Sequence, residues 1–202
     1  MCGPALAILL LGATSARAQG GPPSPAAFSS GLQKGSVEVG AIVGTTLPVT
    51  WLRAHSDRRI TMASMEVGRV MSNELGHGPL AGRFEFLLEI TPLLILNQPS
   101  RVFGLTASPL HMRWNFVPIG KHPVRPFAEA SGGIIYTSEA VPVGTTAFNF
   151  IDQAGFGLRM ETGTEWSWLA GYRFQHISNA GRVKPNPGAN FNFVYAGVSF
   201  QP

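Results

Sequence analysis

Residues 166–190 read WSWLAGYRFQHISNAGRVKPNPGAN, and the alternation in their first half decides the fold. Trp166, Trp168, Ala170, Tyr172, Phe174, His176 and Ser178 share one parity, while Ser167, Gly171, Arg173 and Gln175 carry the other. A strand repeats every two residues, so the first set forms one face and the second set the opposite face. His176 and Ser178 therefore stand together on the apolar face, where an imidazole can take the proton of a hydroxyl. If that face packs into a protein core, a histidine bonded to a serine is an ordinary buried polar pair. The medium that the apolar face meets separates the two readings.

The same alternation recurs along the chain. Phe148, Phe150, Ala154, Phe156, Leu158 and Met160 oppose Asn149, Gln153, Gly155, Gly157, Arg159 and Glu161. Alternating or apolar runs bounded by turn residues predict strands near 35–48, 60–72, 81–96, 101–117, 124–138, 147–162, 164–178 and 189–200. Eight is an even number, and several runs are longer than the roughly five to six residues usual in globular sheets. Tilted membrane-spanning strands need that extra length. The best helical candidate, Phe86 to Leu96, is broken by Glu89 and Pro92 and is too short to span a bilayer. A chain like this enters a membrane as strands. The expected fold class is all-β: an eight-stranded antiparallel transmembrane β-barrel, with groups such as Arg159, Glu161 and Arg173 filling its lumen.

Composition agrees with that expectation. Charged residues make up 13% of the 202, against roughly 25% in ordinary soluble domains. Residues 1–18 pair an apolar run from Ala5 to Leu11 with the small-residue ending Ala16-Arg17-Ala18, the pattern of a secretory signal peptide cleaved after Ala18. Residues 19–32 read as a Pro/Gly/Ser-rich leader, and 33–202 as one barrel domain. The single cysteine, Cys2, leaves with the signal, so no disulfide is expected. A net charge of +4 is too small to make nucleic acid a serious partner. Arg53, Arg58, Arg59, Lys121, Arg125, Arg182 and Lys184 fall in or near expected loops. There they either meet an anionic surface or are simply solvated.

Heights along the strands place the pair. Trp166 and Trp168 stand beside the turn at Thr162-Gly163-Thr164 and suit a periplasmic aromatic girdle, as does Phe200 near the end of the last strand. Asn190 shares the parity of Phe200 ten residues away, ~33 Å along a strand and ~23 Å in height at a 45° tilt. Ser178, ten residues above Trp168, is expected at the same outer-leaflet level. A soluble barrel would instead turn this face inward.

His176-Ile-Ser178-Asn179-Ala180-Gly181, the following Pro185-Asn186-Pro187-Gly188, and Phe150-Ile-Asp152-Gln-Ala-Gly155-Phe-Gly157-Leu158 together resemble the PagL-like lipid A 3-O-deacylases. The run Pro126-Phe127-Ala128-Glu129-Ala130 resembles its family counterpart as well. The resemblance implies an outer-membrane barrel that hydrolyses an acyl ester of lipopolysaccharide without a cofactor. It implies Ser178 as nucleophile and His176 as general base, with Asn179 and the backbone N–H groups of Ala180 and Gly181 offered to the oxyanion. Asn186 and Gly188 would support the loop. Lipid A is then the expected partner, and a second copy of the chain is a further candidate.

This chain departs from the family pattern at one position, where the family carries a Glu and here Asn190 stands. An amide can orient the imidazole but contributes much less to stabilising its positive form. Folding the sixth and seventh strands about the 162–164 turn pairs Asp152 with Phe174 and puts Asp152 diagonal to His176, within side-chain reach. Asp152 is otherwise a carboxylate on an apolar face, and is the candidate orienting acid. A catalytically silent barrel that keeps the scaffold is the rival reading.

Other signals carry less. Glu74-Leu-Gly-His77 and Leu52-Arg-Ala-His55-Ser-Asp57 lack the rigid setting and convergent ligands of a metal site, so no metal is expected. His111 and Arg113 share a face and read as lumen or rim residues. Gly155-Phe-Gly157 lacks the third glycine and the helix of a dinucleotide loop.

Overall fold

A computed structural model describes residues 32–202, apart from 56, 99, 121 and 164. The expected signal peptide and all but the last residue of the expected leader lie outside the described residues.

Eight strands follow one another as β1 (Val37–Thr46), β2 (Arg59–Val70), β3 (Gly82–Gln98), β4 (Ser100–Phe116), β5 (Val124–Thr137), β6 (Phe148–Glu161), β7 (Trp166–Ser178) and β8 (Ala189–Phe200). Each pairs antiparallel with its neighbours, and β1 pairs with β8 to close the barrel. Closure removes every sheet edge, which a strand structure in lipid requires. Two short 3-10 turns, Trp51–Arg53 and Gly78–Leu80, interrupt the connections.

The interior is charged where a soluble barrel would be apolar. Glu38, Glu66, Glu85, Glu89, Glu129, His111, Arg113, Arg159 and Arg173 are all buried there. Arg173 reaches Glu89 and Glu129 at 2.7 Å and Glu66 at 2.9 Å. Arg113 bonds Glu66 at 2.9 Å, and Arg159 bonds Glu38. Guanidinium groups meet carboxylates with several bonds each, which offsets the heavy cost of taking those charges out of water. The opposite parity presents Val39, Met65, Leu88, Phe103, Phe156, Leu158 and Trp168 outward, exposed. An apolar exterior around a polar interior is the reverse of a soluble fold and suits lipid. The face carrying His176 and Ser178 is thus the outer wall.

The lumen is polar only over part of its height. Toward the end that carries the 179–188 connection, Ile42, Ile60, Met62, Leu94, Leu96, Ile135, Ile151, Ile177, Phe191 and Phe193 form a dry cluster. Inward positions there are mostly apolar, with the amides of Asn149, Gln153 and Gln175 hydrogen-bonded among them. The ion pairs are sealed from that side.

The register between β6 and β7 differs from expectation by two residues. Asp152 pairs with His176, and Ala154 with Phe174. The turn is longer than 162–164, because the N–H and Oγ1 of Thr162 both bond the carbonyl of Trp166, at 3.3 and 2.8 Å. Strand β7 accordingly starts at Trp166, where its ring lies 5.0 Å from that of Phe200. On β8, Asn190 pairs with His176 rather than lying level with Ser178.

Candidate active site

His176 sits on β7 with Asp152 of β6 opposite on one side and Asn190 of β8 opposite on the other. All three face outward near the end of the wall away from the barrel's termini. Nδ1 of His176 lies 2.6 Å from Oδ1 of Asn190. The other end of that amide settles its orientation, since Nδ2 donates to the carbonyl of Leu52 at 3.3 Å. An amide oxygen only accepts, so Nδ1 carries a proton, and in the neutral ring the lone pair is at Nε2. A neutral imidazole with its lone pair at Nε2 is in the form a general base requires.

Gly188 lets the backbone pass close against the Cε1 edge of the ring. Its φ is +66°, and a Cβ added to it would lie 2.8 Å from Cε1 of His176. Glycine is needed there for the left-handed backbone and for the close approach.

Ser178 lies two residues further along the same face, half-buried and opposite Phe150. No hydrogen bond joins its Oγ to His176 among the described residues; the only side-chain bond of the imidazole is to Asn190. Catalytic hydrogen bonds commonly form only once substrate is bound.

The connection 179–188 is folded on Asn179. The Nδ2 of Asn179 donates to the carbonyl of Val183 at 2.9 Å, and its Oδ1 accepts from Gly181 N–H at 2.9 Å. Its own N–H donates to Oδ1 of Asn186 at 3.2 Å. Of the three groups expected to face an oxyanion, Asn179 and Gly181 N–H are committed to holding the loop. Ala180 N–H has no partner among the described residues. Ala180 and Gly181 are both left-handed, with φ of 54° and 75°. For Ala180 that conformation costs on the order of 1–2 kcal/mol, met by the bonds Asn179 makes on either side. Beside this loop a cavity of about 170 Å³ is lined by Thr146, Phe148, Asn179, Arg182 and Val183. The guanidinium of Arg182 stands 5.5 Å over the Phe148 ring.

Sequence reasoning missed the contribution of the first connection. Asn192 accepts from Tyr172 OH at 2.5 Å and donates to the carbonyls of Trp51 and Val49 at 2.9 and 3.2 Å. The signal was available in the parity of Asn190 and Asn192, two amides on an otherwise apolar face, where a polar group needs a partner. Which segment supplies the partner has no local signature.

In the two motifs set aside above, His55 lies 3.5 Å from Asp57 and Glu74 lies 3.9 Å from Arg83. Among the described residues the one group of three ligand-type side chains is Glu66, Glu89 and His111, with ligand atoms within 4.8 Å of one another. Arg113 and Arg173 already face those carboxylates, so their charge is met by guanidinium groups. His111 and Arg113 are lumen residues.

The family model described as lipid A 3-O-deacylase (PagL) matches residues 102–199. None of the curated proteins matches the sequence. Among solved structures, the outer-membrane enzyme PagL superposes with a TM-score of 0.56 at 20% identity, covering 79% of this chain and 97% of that one. The N-terminal β-barrel domain of Pseudomonas aeruginosa OprF superposes with a TM-score of 0.50 at 15% identity, covering 84% and 98%. The chain is PagL-like over its C-terminal half, and its fold is that of an outer-membrane β-barrel.

Proposed function

From the PagL-like half of this outer-membrane barrel, we propose that the chain is a lipid A deacylase that hydrolyses an ester at the outer-leaflet rim, with Ser178 as nucleophile and His176 as general base. The observation that carries the reading is the 2.6 Å contact of His176 Nδ1 with Asn190 Oδ1: with the Nδ1 N–H donating to that oxygen, the neutral ring carries its lone pair at Nε2.

In the reaction, Ser178 Oγ attacks the ester carbonyl carbon while its proton passes to Nε2 of His176. Two residues of strand separate their backbones by ~6.6 Å, and rotation about the serine side chain closes the gap. The oxyanion of the tetrahedral intermediate takes the N–H of Ala180. Collapse breaks the bond to the sugar oxygen, which leaves with the proton from His176. Water, deprotonated in turn by His176, then releases the fatty acid and restores Ser178. Asn190 holds the ring through this cycle. Asp152, directly across from it, supplies the negative charge that the amide lacks. The match to a family described as lipid A 3-O-deacylase supports the 3-O-linked acyl chain as the one removed.

Mass analysis of lipid A from cells expressing the chain tests this. Wild type should remove one acyl chain and Ser178→Ala none. Lipid A left intact by the wild type would favour the catalytically silent barrel.

A further inference from the structure

Asn190 and Asn192 are used in the same sense. Each lies on the outward face of β8, accepts through Oδ1 from a β7 side chain, and donates through Nδ2 to a carbonyl of the first connection. For Asn190 the two ends meet His176 Nδ1 at 2.6 Å and Leu52 O at 3.3 Å. For Asn192 they meet Tyr172 OH at 2.5 Å and Trp51 O at 2.9 Å, with Val49 O at 3.2 Å. The backbone adds a peg at each level, Leu47 N–H to Asn192 O at 2.7 Å and His55 N–H to Asn190 O at 2.9 Å. Trp51 then packs with its ring centroid 5.6 Å from that of Tyr172. Residues 47–55 thus form a strap across the outside of β8.

The shape of the strap is imposed on it. Leu52 and Arg53 are consecutive left-handed residues, with φ of 55° and 58°. Side chains seldom adopt that conformation and keep it only where surrounding bonds over-determine it. The pegs supply those bonds. In return, the strap satisfies two amides that would otherwise face lipid unpaired.

We propose that the strap 47–55 is a working part of the site, and that Asn190 and Asn192 are positioning residues which tie it to β7 and so fix the His176 ring. The proposal rests on the reading of Ser178 and His176 as an ester-hydrolysing pair. An amide is what position 190 needs for this double duty. A carboxylate there holds the imidazole but sets its own lone pairs against the Leu52 carbonyl oxygen. The strap and the base therefore move together, and a change at Asn192, which touches neither His176 nor Ser178, reaches the base through the strap.

The test uses the full chain in vesicles containing lipid A, with Cys2 replaced by Ser and a spin label on Arg53→Cys. Asn192→Leu is compared with the parent and with Asn192→Gln, which retains an acceptor and a donor. Heat-modified migration of the barrel confirms folding of each. The label should be nearly immobile in the parent and mobile in Asn192→Leu. In Asn192→Leu kcat should fall by on the order of 10- to 100-fold with KM little changed, and Asn192→Gln should recover part of both. A label equally immobile in all three chains overturns the proposal, as does a mobile label with unchanged kcat. If the parent releases no fatty acid, the hydrolase reading fails by itself. The strap is then judged by the His176 imidazole resonance: a shift in Asn192→Leu upholds the coupling and an unmoved signal refutes it.

Discussion

Asp152 stands directly opposite His176 across the β6–β7 pair, on the side away from Asn190. In the proposed mechanism the imidazole has an amide that orients it, at 2.6 Å, and a facing carboxylate to balance the charge it acquires. These two tasks fall to one acid in a Ser-His-Asp arrangement.

Asp152→Asn should slow ester hydrolysis by up to about fivefold, since a charge in the facing position, outside ion-pair contact with the ring, contributes at most on the order of 1 kcal/mol in water-like surroundings. His176→Ala should remove nearly all of it, a loss of ~10³-fold or more. The measurement is the initial rate of fatty-acid release from lipid A micelles. A rate left unchanged by Asp152→Asn would reduce that residue to a solvated charge in the headgroup zone.

Gly188→Ala should fold and be at least about tenfold slower. Its new Cβ would press on Cε1 of His176 from 2.8 Å at a φ of +66°. Displacing a reacting group by a fraction of an ångström is enough to cost that factor. Barrel migration on unheated gels and the same release assay separate folding from activity, and full activity in a folded variant would mean that the ring moves aside freely.

Arg173→Leu should destabilise the barrel by about 3–5 kcal/mol, because removing one partner leaves buried carboxylates uncompensated. Glu66, Glu89 and Glu129 all bond this guanidinium. Urea unfolding in vesicles reads the change. An unshifted midpoint would show that the remaining arginines carry the lumen.

Phe156→Arg should cost ~2–4 kcal/mol and Phe156→Leu little, as depth-dependent insertion of a charge into lipid requires. Phe156 pairs with Tyr172, which pairs with Val194 about midway along β8, so it marks the middle of the wall. The same urea measurement checks it. Equal stability of the two variants would mean that this face does not meet lipid.

Much of this was legible in the chain. Period-two alternation located all eight strands to within a few residues, and parity alone put His176, Ser178, Asp152 and Asn190 on one face, with Arg159 and Arg173 on the other. Both are local properties, because the pleat repeats along a single strand whatever its neighbours do. Strand height was legible only roughly, and the assignment of Asn190 to the level of Ser178 failed by two residues.

What the tertiary structure decided is who stands beside whom. Cross-strand register depends on how each turn closes, and the two bonds from Thr162 to Trp166 moved Asp152 from a diagonal position to one directly facing His176. The commitment of Asn179 to its own loop and the apolar cluster over the ion pairs emerged only from packing. The strap from 47–55 lies some 140 residues before the asparagines that peg it. A strand's pattern states which way each side chain points, but a hydrogen bond between distant segments exists only once the closed barrel has brought them to the same height.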